Sequence, residues 1–198
     1  MSKPYTETDF STLIIDDRNW RIREISDLKS AIKRSDQILQ RVLLRAIITV
    51  CYAHWEGYIR FSARKYLEFV AIRRLQYTQL DEQFFRNYFL PRLAALSVSR
   101  INVVDRCALI DEILHSSDRR FSRVNEDLVN TKSNLNFEVF SEICLVCGVP
   151  QGQFADKAAF IDVILLKRRN AIAHGEDTFI SLTDLEEVTN NTIELMRA

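Results

Sequence analysis

The chain has 198 residues, 47% of them apolar, with 27 basic and 27 acidic side chains and a formal net charge of zero. This length suits a single domain (1–198) with a substantial core, and the charge balance excludes a broad electrostatic grip on long nucleic acid, leaving only local basic patches for such contacts. Four Gly and three Pro are few for this length, which argues against an all-β fold and for helices joined by short connections.

Residues 1–15 read as a loosely held arm, with Phe10, Leu13, Ile14 and Ile15 available to dock it. Asp16 or Asp17 then caps a first helix to about residue 33, with Trp20, Ile22, Ile25, Leu28 and Ile32 as its apolar positions. Ser35 and Asp36 offer a new cap or a mild break. From 37 to about 76 there is neither Pro nor a turn cluster, and apolar residues recur at helical spacing (Ile38, Val42, Ala46, Val50, Ala53). This predicts the longest helix, severalfold longer than average, of the kind that forms a bundle spine or a dimer face.

Thr78-x-x-Asp81, followed by Gln83, is the next start signal. The helix it opens, about 80–96, contains Pro91, which predicts either a kink or a stop before it. Another helix is expected over about 103–115. Residues 116–136 are the least patterned, rich in Ser, Asn, Asp and Arg, and read as a long loop with room for one short extended piece. Asn136 caps a helix of about 137–147 that Gly148-Val149-Pro150 ends.

Cys144 and Cys147 have CxxC spacing, but no second pair follows, so they read as small buried residues of that helix. The cysteine usage fits a reducing compartment. Residues 1–9 lack an apolar leader and no stretch is long enough to span a membrane, so the expected location is the cytoplasm.

The most informative stretch follows. The apolar run 158–166 has no Gly or Pro and predicts a buried helix of about 156–173, ending in Lys167-Arg168-Arg169-Asn170-Ala171-Ile172-Ala173-His174 with Gly175 as a left-handed cap. Asn170 and His174, four apart, share a face, and Arg169 lies roughly 100° further round. The negative end of the helix dipole favours a protonated imidazole, which suits acid–base work. A guanidinium beside it can clamp a phosphate bidentately, and Asn170 can orient the imidazole or a substrate hydroxyl. Lys167 and Arg168 extend the basic turn, either as phosphate-positioning groups or as a solvated face. Glu56 either pairs with Arg60 on a solvated face or faces the motif helix, holding Arg169 or orienting His174. Trp55 reads as core packing, Gly57 as a point of close helix approach, and His54 and His115 as incidental. Thr183-x-x-Glu186 opens a last helix to about residue 196 as a capping box.

Arg169-Asn170-x-x-x-His174 resembles the Arg-x4–6-His motif, with a polar residue after the Arg, of the HEPN superfamily. Ala53-His54-Trp55-Glu56-Gly57-Tyr58 and Thr131-Lys132-Ser133-Asn134-Leu135 are similar to a nuclease-like bacterial subgroup of it. The resemblance implies an all-α bundle in which the long early helix packs antiparallel to the motif helix. It further implies a metal-independent endoribonuclease of toxin–antitoxin or phage-defence systems, in which the RNA 2′-hydroxyl attacks the adjacent phosphorus. His174 would be the general base or acid, Arg169 the transition-state clamp and Asn170 the orienting group, with no metal and no cofactor. A homodimer would bring two motifs into one cleft, and an antitoxin or regulatory protein is a possible partner. The alternative is a non-catalytic HEPN module that binds RNA, nucleotide or a partner protein.

Overall fold

The computed structural model describes residues 4–98 and 102–198, and among them it is all-α, with one isolated bridge between Gln76 and Arg120. Helix α1 (Glu7–Arg34) and helix α2 (Gln37–Ile72) form an antiparallel hairpin joined by Ser35 and Asp36. Asp36 caps α2, its carboxylate accepting from the N–H groups of Ile38 and Leu39, so the local break predicted there is realised as a sharp turn.

Residues 7–15 are not an arm. Thr6 and Asp9 form a reciprocal capping box with both bonds at 3.0 Å, which starts α1 well before Asp16. Phe10 then stacks on Phe69 at 4.8 Å, tying this first turn to the far end of α2. Residues 1–3, the tip of the expected arm, lie outside the described residues.

Helix α3 (Glu82–Val98) runs through Pro91 instead of stopping before it. Pro91 lies on an exposed flank, where water can reach backbone groups that its ring leaves unpaired. Helix α4 (Val103–His115) leans on α3 through Glu112, which takes Tyr88 and Arg92, and α3 is tied to α5 (Phe137–Val146) by Asn87, whose amide donates to the Val146 carbonyl at 2.7 Å. Residues 116–136 form the expected loop, with one 3-10 turn at Glu126–Leu128.

The core is built on α2. Trp55 is fully buried against Phe140 of α5, as its apolar reading required. Cys144 and Cys147 are free and buried there, and burial pushes the Cys147 thiol up to about 12. Gly57 serves the α1–α2 contact: a Cβ there would meet Arg21 Nη1 at 2.6 Å. That guanidinium, paired with Asp17 at 2.7 Å, passes directly over the helix backbone.

Helix α7 (Leu182–Arg197) covers α1 and α2. Its capping box is Ser181 with Asp184, two residues earlier than Thr183 with Glu186, because Asp184 also receives Arg168 at 2.7 Å. Burial alone would raise the Asp184 carboxyl, but hydrogen bonds from Ser181 and from Arg168 outweigh it and hold it at about 2. Bonds from Lys29 and Lys33 hold Glu186 at about 2 as well. Both values lie below those of an unfolded chain, so their contribution is complete above about pH 4 and is lost as pH falls toward 2. The thermal midpoint should therefore drop over that window, and Asp184→Asn should make the drop shallower. Among the described residues no helix is long and apolar enough to cross a membrane.

Candidate active site

The motif helix is not a plain α-helix. A 3-10 turn (Gly152–Lys157) leads into a π-helical stretch (Phe160–Lys167), and only then into helix α6 (Arg168–Ala173). Its end closes as expected: Gly175 has φ +81°, its N–H reaches the Ile172 carbonyl, and the Glu176 N–H reaches that of Ala171. From Arg169 on to Asp177 and Thr178, the partners on α2 descend from Tyr52 to Arg41 and Arg45, so the two segments run antiparallel.

Three remote pieces of sequence meet at Arg169. Its guanidinium lies over the Tyr52 ring at 4.1 Å from the centroid. Its Nη2 donates to the Ser133 carbonyl at 2.9 Å and to Asn134 Oδ1 at 3.4 Å. The same Asn134 oxygen accepts from Asn170 Nδ2 at 3.3 Å. The loop presenting these acceptors is a tight turn closed by Asn134 N–H to the Thr131 carbonyl at 3.0 Å, with Lys132 and Ser133 both left-handed (φ +52° and +55°). Two non-glycine residues in that region cost on the order of 1–3 kcal/mol each, and the neighbours hold them there. Thr131 donates to Glu56, and the Leu135 N–H donates to the Tyr52 hydroxyl at 2.6 Å. Burial raises the Tyr52 phenol, so it stays protonated, while the nearby Arg169 pulls the other way.

The predicted residues separate accordingly. Arg169 and Asn170 converge on Asn134. His174 is exposed at the helix end, and its imidazole makes no hydrogen bond or ion pair among the described residues. Asn170 is turned toward Asn134, not toward His174. Arg168 is part-buried, and its ion pair with Asp184 fastens the motif helix to α7. Lys167 is exposed. Glu56 binds Thr131, not Arg60 or Arg169, although all three side chains line one groove of about 400 Å³. His54 pairs with Glu24 at 2.9 Å, and His115 bonds its own helix backbone at Asp111.

Tyr52 and the Ser133 carbonyl were not anticipated from the sequence. Tyr52 is one turn before Glu56 on the same face of α2, a signal that i, i+4 spacing carries. A backbone carbonyl has no residue signature. Among the described residues no three His, Cys, Asp or Glu side chains come together as a metal site.

A helical bundle whose longest helix faces an Arg-Asn-x-x-x-His helix end defines a HEPN-type domain. The match to the RiboL-PSP-HEPN family runs over residues 16–198, and the chain belongs to that family. No curated protein and no solved structure matches it.

Proposed function

We propose that the chain is a metal-independent endoribonuclease that cuts RNA by 2′-hydroxyl attack, acting in the cytoplasm as a toxin or phage-defence effector. The observation that carries this reading is the state of Arg169. Most other arginines that meet partners here meet a carboxylate: Arg21, Arg41, Arg45, Arg64, Arg86, Arg92, Arg119 and Arg168, whereas Arg34, Arg73 and Arg120 bond backbone carbonyls. Arg169 is held by a carbonyl, an amide and an aromatic face, all neutral, and has no carboxylate partner among the described residues. Its position is therefore set while its charge remains available to a phosphate.

In the proposed reaction a base removes the 2′-hydroxyl proton, the 2′-oxygen bonds to phosphorus, and the 5′-oxygen leaves with a proton from an acid. The products are a 2′,3′-cyclic phosphate and a 5′-hydroxyl. Arg169 stabilises the charge that grows on the non-bridging oxygens, and His174 exchanges the proton. One imidazole serves one of the two oxygens, so a second copy of the chain supplies the other. Exposed Ile38 and Val42 on α2 and Phe179 just past the motif are consistent with such a contact.

Single-stranded RNA incubated with the purified protein in EDTA should yield fragments with cyclic or linear 3′-phosphate and 5′-hydroxyl ends. Intact RNA, or 3′-hydroxyl ends, would overturn the proposal.

One observation favours a second reading. Asn170 is engaged by Asn134 and leaves His174 without an orienting partner. On this reading the site binds RNA, nucleotide or a protein such as an antitoxin without cutting, and strong expression in cells leaves RNA intact.

A further inference from the structure

The groove beside Arg169 does not end there. It is continuous with a larger hollow of about 690 Å³ between α1 and α2, because Ala53, Gly57 and Arg60 line both. Together they form a furrow along α2 from Thr49 to Glu68, about 28 Å at the helical rise of 1.5 Å per residue. Its floor is kept low by the small side chains of Thr49 and Ala53, and at Gly57, one turn on, the Arg21 guanidinium fills the space a Cβ would take.

The charges along it are unevenly balanced. Arg21, over Gly57, is paired with Asp17, and toward the far end Lys65 and Arg64 are paired with Glu68 and Glu126. Arg60, in the middle, is exposed and has no ion-pair partner among the described residues, and neither does Arg169. Trp20 stands beside the furrow at the level of His54, with 47% of its surface exposed. Its orientation is fixed by three contacts: its Nε1 donates to Asp17 at 3.2 Å, its ring meets His54 edge-on at 5.1 Å, and the Arg21 guanidinium lies 4.6 Å from it. A fixed tryptophan with an open surface suits a stacked base, and two guanidiniums free of ion pairs, facing the single carboxylate of Glu56, suit phosphates.

We infer that this furrow is a single-stranded RNA track, in which Arg60 holds a phosphate next to the one at Arg169 and Trp20 stacks a base beside them. This rests on the site reading above and extends it to the flanking nucleotides. Two available cations predict a shallow salt dependence, with a slope near −1.4 in log K against log salt at about 0.7 per phosphate contact on a single strand.

The test is fluorescence anisotropy with a labelled 2′-O-methyl RNA decamer and trimer, which lack the attacking hydroxyl and stay intact. Wild type should bind the decamer more tightly than the trimer. Trp20→Ala should weaken the decamer about tenfold, while Trp20→Phe should keep most of the wild-type affinity. Arg60→Ala should lower the salt slope by about 0.7. Both residues are exposed, and unchanged circular dichroism melts would show that the variants fold. Decamer binding that is absent in wild type, independent of length, or unchanged in both alanine variants overturns the track. If the protein binds the decamer as predicted but leaves ordinary RNA uncut, the catalytic reading fails and the track stands.

Discussion

Replacing His174 by alanine is expected to lower RNA cleavage by about 10²–10⁴-fold while leaving the fold intact. The two effects separate because this residue closes the helix through its backbone. Its N–H bonds to the Asn170 carbonyl at 2.9 Å, and the neighbouring Gly175 and Glu176 N–H groups complete the cap. None of these bonds involves the imidazole, which is exposed and makes no hydrogen bond or ion pair among the described residues. An exposed side chain without partners changes stability by no more than about 0.5 kcal/mol when truncated. Cleavage rates and a thermal melt on the same preparation check both halves. Cleavage at the wild-type rate would remove His174 from the chemistry, and a large loss of stability would make it a structural residue.

The adjacent arginines should give opposite results, although their chemistry is identical. Arg169→Ala is expected to cost about 10²–10³-fold in cleavage, the scale of losing one preorganised donor to transition-state charge. It should also cost about 1–3 kcal/mol of stability, because the Ser133 carbonyl and Asn134 lose their donor and the strained turn loses its support. Arg169→Lys keeps the charge but not the planar fork that reaches both acceptors, so it should not restore cleavage. Arg168→Ala removes the pair with Asp184 and should lower stability with little effect on the rate per folded molecule. Denaturant midpoints and single-turnover cleavage of the three variants distinguish the two roles. Equal loss of cleavage at 168 and 169 would contradict the assignment.

The parts of the fold that were legible beforehand are those set by local chemistry. Asp36 and Asn136 cap their helices through their own side chains, as Asn102 does without having been singled out, and Gly148 and Gly175 end theirs with positive φ. α4 accordingly begins and ends where the pattern placed it. The start of α1 was equally local: Thr6-x-x-Asp9 is a capping signal, overshadowed by the stronger apolar periodicity that begins after Asp16. Competition between overlapping signals explains the last helix too, where Ser181 with Asp184 prevails over Thr183 with Glu186 because Arg168 adds a third partner.

The candidate site divides along the same line. That Arg169, Asn170 and His174 lie together at the end of a buried helix follows from the sequence, because a run of apolar residues closed by a glycine leaves few other arrangements. Which arginine turns inward does not follow from it. The π-helical stretch at Phe160–Lys167 changes the phase of everything after it, and packing against α2 and α7 sets that phase. The turn from Thr131 to Asn134 is likewise invisible locally, since Lys132 and Ser133 have no preference for a left-handed backbone. Residue identity determined the chemistry that this chain carries. Long-range packing alone decided which of those groups kept an uncompensated charge, since compensation depends on what the fold brings within about 4 Å.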